Sequence, residues 1–302
     1  MARLWCWIAT APATRQTRYL KIMARLPHST RCQGFTLVEA IMVIVITGII
    51  AGMIALFIRA PVQGYFDSAR RAELTDIADT AARRMAKDIR TALPNSIRIS
   101  PPGNPQYLEF YPTIAGGRYR REQDCTGVCT GNILDFSQTD ADGFDVLGTF
   151  PTPLAGAERI VIFNNGTADS DAYSGTNRRA ITGYIAPTMT LGAPAIRFPY
   201  ESPGNRFHVV TTPVTYSCSF GVAGGNGTGS LFRYQGYAPA AAQPTPPGGT
   251  PNLLASNVSA CSFTYNAGGA AGRIALVAIQ LGITQENETV TIYHEVHVDN
   301  VP

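Results

Sequence analysis

The sequence predicts an α+β protein: one long N-terminal helix followed by a C-terminal, antiparallel, β-rich domain. Three observations carry that prediction. Residues 35–58 are apolar almost without interruption, and residues 59–94 space their apolar positions at helical intervals among charges. Beyond Pro94 the composition turns to Gly, Pro, Tyr and Thr, with short β-branched runs between turns and no second amphipathic helix. Length does not choose between one large domain and two small ones, since 302 residues fit either.

The apolar run comes first. From Leu37 to Ile58 there are 22 residues, which as a helix rise about 33 Å. That matches a hydrocarbon core of about 30 Å. A buried core helix is the weaker alternative, because such helices rarely stay apolar on every face over this length. Glu39 is the one ionisable residue in the run. A carboxylate on a membrane helix costs about 2.5–3.5 kcal/mol near the bilayer centre, so it calls for a partner.

Charge is divided unevenly around this segment. The whole chain carries a formal +3, but residues 1–34 hold Arg3, Arg15, Arg18, Lys21, Arg25 and Arg31 with no Asp or Glu. Taking those six from 24 basic residues leaves 18 against 21 acidic ones, a net of −3 downstream. The positive-inside rule keeps the basic leader cytoplasmic and sends the rest across the inner membrane. A mildly acidic body offers no basic patch, which argues against a nucleic-acid partner.

Arg59-Ala60-Pro61 marks the exit from the span, and proline predicts a kink there. Phe66, Ala69, Leu74, Ile77, Ala81, Met85, Ile89 and Leu93 then form one helical stripe that stops at Pro94-Asn95. The expected strands are Ser96–Ile99, Tyr107–Tyr111, Ile160–Phe163, Ile181–Ile185, Ile196–Phe198, His208–Thr211, Thr215–Phe220, Leu231–Tyr234, Val258–Tyr265, Ile274–Leu281 and Val290–Val298. Turn clusters such as Gly224-Gly225-Asn226-Gly227 separate them. The chain thus divides into a leader (1–34), a membrane helix (35–58), an amphipathic helix (59–94) and a β-rich exported domain (95–302).

A short basic leader, then Gly34-Phe35-Thr36-Leu37-Val38-Glu39, then the hydrophobic run, resembles the type IV prepilin signature. The resemblance implies cleavage after Gly34 by a prepilin peptidase and N-methylation of Phe35. It also places Glu39 at the acidic position that meets a new α-amine in the assembling filament. Met23 opens the compact leader MARLPHSTRCQG and is the expected native start. Residues 59–99, with Thr215-Tyr216-Ser217-Cys218, Leu231-Phe232-Arg233-Tyr234, Asn257-Val258-Ser259-Ala260-Cys261 and His297-Val298-Asp299-Asn300-Val301-Pro302, resemble the MshO minor pilins of the mannose-sensitive haemagglutinin (MSHA) pilus. The same layout resembles the J-type pseudopilins of type II secretion. The implied partners are other major and minor pilins, the peptidase and the inner-membrane assembly platform. A signal-anchored binding module, an anchored hydrolase and a major pilin are the competing readings.

Cys6 and Cys32 leave with the leader, whereas Cys125, Cys129, Cys218 and Cys261 are exported. An oxidising compartment favours disulfides there. Cys125–Cys129 with Cys218–Cys261 is the favoured pairing among the three connectivities that four cysteines allow. The paired short spacings of a four-thiolate zinc site are absent.

Catalytic and cofactor motifs are not found. His294 and His297 are three apart, on opposite faces of a strand rather than together on a helix. The glycines at 221–229 read as a hairpin loop, because no helix follows to receive a phosphate. Asp140, Asp142 and Asp145 hint at calcium, but no glutamate follows at the twelfth position of the loop, and a solvated turn is the expectation. No metal, cofactor or enzymatic activity is expected.

Overall fold

The computed structural model describes residues 35–137, 143–151, 156–192, 197–267 and 273–302. The chain divides into two units, Met1–Arg59 and Ala60–Pro302. The leader, Met23 and Gly34 lie outside the described residues.

Among the described residues there is one helix, α1 (Leu37–Ile89). Its part in the first unit is exposed on every face, and its apolar window is long enough to cross a membrane with none of it buried. The second unit takes up the helix at Ala60, and Pro61 lies inside the helix rather than at its end. One proline removes one backbone donor, and the turns on either side keep theirs. The buried face begins at Leu74 and continues through Ala78, Ala81, Ala82, Met85, Ala86 and Ile89. Phe66 and Ala69, the first two positions of the expected stripe, are exposed. After Ile89, short-range bonds from Thr91 to Asp88 and from Ala92 to Ile89 tighten the exit, and Asn95 turns the chain at positive φ.

Fifteen strands follow among the described residues. They begin with β1 (Arg98–Ile99), β2 (Gln106–Phe110), β3 (Thr113–Tyr119), β4 (Gly143–Leu147) and β5 (Arg159–Val161). Next come β6 (Arg178–Ile185), β7 (Thr188–Leu191), β8 (Arg206–Val210), β9 (Val214–Cys218) and β10 (Val222–Ala223). The last are β11 (Asn226–Gly227), β12 (Gly229–Gln235), β13 (Thr250–Asn266), β14 (Ile274–Gln285) and β15 (Glu288–Asp299). Seven form one antiparallel sheet in the order β1-β2-β9-β12-β13-β14-β15. The buried face of α1 packs on it, with Leu108, Phe110, Tyr216, Leu231, Phe263, Val277, Ile279, Leu281 and Val296 in the shared core. Asp88 pins helix to sheet by accepting hydrogen bonds from Tyr216 Oη at 2.8 Å and Arg233 Nε at 2.7 Å.

β3 to β8 close a separate six-stranded barrel in the order β3-β4-β7-β6-β5-β8. Its position in the chain is informative. Phe110 pairs with Val214 at the end of the β2–β9 ladder, so the whole barrel is an insertion at what would otherwise be a hairpin turn. Tyr119, Phe136, Phe144, Phe150, Phe198 and Phe207 fill it together with aliphatic residues. Gly117 makes room for one of these rings, since a Cβ there would stand 2.7 Å from Phe207 Cζ.

The expectations cover the sheet better than the barrel. β3, β4 and β7 are absent from the expected strands, and Arg197 and Phe198 are not in a strand. The joint between barrel and sheet is polar and aromatic. Buried Glu109 accepts from Arg98 Nε at 2.7 Å and Tyr237 Oη at 3.0 Å, while the Arg98 guanidinium carbon lies 3.5 Å from the centroid of the Tyr173 ring. Arg178 of β6 donates to Tyr111, and Tyr173 donates to the Ser96 carbonyl at 2.9 Å. Burial raises the Tyr173 and Tyr111 hydroxyls above their ordinary pKa, so both remain donors.

Candidate functional site: the N-terminal segment

The segment that begins the helix is built by capping. Phe35 and Thr36 precede the first helical turn, and Phe35 is exposed. Thr36 is the N-cap: its Oγ1 accepts from Glu39 N at 3.3 Å, and its carbonyl accepts from Ala40 N at 3.1 Å. Thr36 and Glu39 have the spacing of a capping box, with the acidic residue at the third helical position. Sequence reasoning passed over this pair because Glu39 drew attention as a charge in an apolar run. The carboxylate lies at the positive end of the helix dipole and is exposed, with no ion pair among the described residues.

Further along, Thr47 Oγ1 donates to the carbonyls of Val43 at 2.6 Å and Ile44 at 3.1 Å, which hides a hydroxyl that lipid could not satisfy. Gly48 and Gly52 are four residues apart, and nothing lies within 4 Å of where their Cβ atoms would stand. That small-residue spacing lets a second helix approach closely; it is legible in the sequence and was missed.

The four exported cysteines form two bonds. Cys125–Cys129 ties an exposed loop, with a sequence separation of 4. Cys218–Cys261 joins β9 to β13 with Cα atoms 6.4 Å apart, although β12 lies between those strands in the sheet. The bond is not a contact between ladder neighbours: Cys218 pairs with Leu231 of β12 on one side and with Gln106 of β2 on the other, whereas Cys261 lies on β13 past Val258, the last β13 residue paired with β12. Buried Gln106 of β2, the ladder partner of Cys218, reaches the same strand: its amide donates to Phe263 O at 3.0 Å and accepts from Phe263 N at 2.8 Å. This side-chain rung joins residues 157 apart in the chain, and no local pattern around Gln106 announces it.

The other sequence candidates have structural surroundings. Asp140 and Asp142 lie outside the described residues. Asp145 accepts from Asn132 N at 3.0 Å and Thr188 Oγ1 at 2.8 Å, and Arg120 Nε lies 3.4 Å away as an ion pair without hydrogen-bond alignment. It anchors a loop. His294 and His297 are both on β15, and within residues 221–229 the β10–β11 hairpin spans 222–227. No cluster of three or more potential metal ligands occurs among the described residues.

An exposed apolar helix with a capped start, in a chain whose other unit is an α+β domain rich in sheet, suggests membrane anchoring. Residues 29–55 match the prokaryotic N-terminal methylation motif. That motif indicates an N-terminal segment of the type IV pilin-like prepilin kind. No curated protein and no solved structure matches the chain.

Proposed function

We propose that the chain is a minor subunit of a type IV pilus of the MSHA kind, close to the MshO minor pilins, or of the related J-type pseudopilus of type II secretion. The leader is cytoplasmic and the β-rich domain periplasmic. Prepilin peptidase cuts after Gly34 and N-methylates Phe35, after which the inner-membrane platform draws the helix into the filament. The observation that carries this reading is the methylation motif at residues 29–55, continued by a helix whose apolar window is not buried by any of the described residues. Glu39 supplies the docking charge, paired with the α-amine of a neighbouring subunit. Such pairing weakens quickly when helices slide apart in a low-dielectric surrounding, so it also sets axial register. Gly48 and Gly52 allow the close helix approach that docking needs. The minor role is supported by the barrel inserted between β2 and β9, a large addition for a repeating shaft subunit.

Glu39→Val separates docking from processing. Expressed in cells lacking the native copy, it leaves leader removal near normal while incorporation into sheared filaments falls sharply. Incorporation at the native level, with normal pilus number, contradicts the docking role and favours a plain signal-anchored module.

A further inference from the structure

The open edge of the seven-stranded sheet has the features of a strand acceptor. β15 pairs with β14 over 12 residues without a bulge, from Gln285↔Glu288 to Ile274↔Asp299, and among the described residues no strand pairs with its other side. The register shows which backbone groups are free. Glu286 and Asn287 form a two-residue turn with φ of 49° and 66°. Turns of this primed type are closed by a hydrogen-bonded pair, here Gln285 and Glu288. Alternation along an antiparallel ladder then turns the N–H and C=O groups of Thr289, Thr291, Tyr293, Glu295 and His297 outward. All five residues are exposed. The strand has neither proline nor glycine and is rich in β-branched residues, so little in its interior protects the edge.

Beside this edge lies a groove of about 740 Å³ between β15 and the second-unit part of α1, lined by Ala72, Thr75, Asp76, Asp79, Arg83 and Ile292 among others. An added strand would place alternate side chains there. Arg83 is already paired with Asp79, and Arg71 with Glu288. Asp76 has no ion pair among the described residues, which leaves one unneutralised carboxylate in the groove wall.

We propose that β15 accepts an extended strand from a neighbouring pilin subunit, hydrogen-bonded to Thr289, Thr291, Tyr293 and Glu295, with a lysine or arginine of that strand meeting Asp76. This is strand addition, in which main-chain bonds supply affinity and the groove supplies specificity. The proposal rests on the reading of the chain as a filament subunit.

Proline tests it with little cost to the fold, because an outward N–H on an edge strand makes no bond within the subunit. Tyr293→Pro and Thr291→Pro are compared with Tyr293→Ala in full-length protein, with the Cys218–Cys261 bond checked by alkylation. The proposal expects each proline variant to fall about tenfold in sheared filaments while its membrane level holds. Tyr293→Ala, which keeps the N–H, stays within about twofold. Should the prolines disturb the domain, amide exchange of the unaltered chain decides: the amides at 289–295 exchange slower in filaments than in detergent-solubilised monomer. Proline variants incorporating normally, an equal loss with Tyr293→Ala, or equal exchange in both states overturns strand addition while leaving the pilin reading intact. Absence of the unaltered chain from filaments overturns both.

Discussion

The helix-backed sheet and the inserted barrel are neighbours in one unit, yet they are held together in different ways. The sheet leans on α1, whose buried stripe supplies Leu74, Met85 and Ile89, and a disulfide and the Gln106 rung tie β9 and β2 to β13. Among the described residues the barrel has no helix and no disulfide across its wall, and Cys125–Cys129 ties only an exposed loop. Its stability rests on ring packing, with Phe207 in edge contact with Phe144 at 5.4 Å and tilted against Phe150 at 5.8 Å. Closure removes open strand edges from the barrel, whereas the sheet keeps β15 free. On the proposed reading the sheet is the part that makes contacts along a filament, and the closed barrel needs no neighbour.

The sharpest way to break this contrast is to empty the barrel core. Phe207→Ala is expected to cost about 3–5 kcal/mol, because the ring is fully buried and the closed wall collapses poorly onto the void. Hydrogen exchange should show the loss in Thr113–Val210, while Ile274–Gln285 keeps its protection. Equal loss in both would mean that sheet and barrel unfold as one.

A second comparison pits the two disulfides against each other. Replacing Cys218 and Cys261 with alanine should cost about 2–4 kcal/mol in denaturant unfolding of the full chain in detergent. Replacing Cys125 and Cys129 should cost about half as much, since a separation of 4 rather than 43 restrains the unfolded chain less. Equal costs would remove the sheet's special dependence on its covalent tie.

The smallest effect concerns His208, on the outward side of β8. Burial holds its pKa below the ordinary 6.5, Arg206 lowers it further and Asp299 opposes them. The folded state therefore keeps the ring neutral where the unfolded chain would protonate it. This contribution is complete above pH 6.5 and is lost as pH falls toward the depressed folded value. His208→Gln should flatten that acid limb, at less than about 1.4 kcal/mol per pH unit. An unchanged limb would assign the acid sensitivity elsewhere.

These differences also explain what the sequence made legible. α1 and most sheet strands stand out because apolar residues recur at helical or alternating spacing, as in Val290–Val298 inside β15. The barrel strands are short and interrupted. β3 contains Gly116-Gly117, which weaken any strand signal while making room for Phe207. β4 spans only Gly143–Leu147 and β7 only Thr188–Leu191, and barrel closure rather than local pattern holds them. In the N-terminal segment Phe35 and Glu39 could be singled out from one sequence, because a lone carboxylate in an apolar run is conspicuous. The Thr36 cap was equally readable and was overlooked. Gln106 was not readable, since its role depends on Phe263, 157 residues away on another strand.

The central claim is that this chain is processed as a prepilin. Mass spectrometry of the N-terminal peptide from membrane and filament fractions tests it most directly. The account predicts a mature chain that begins at Phe35 and carries one methyl group on its α-amine. A chain that begins upstream of Phe35, or an unmethylated N terminus in filament-associated protein, would contradict it.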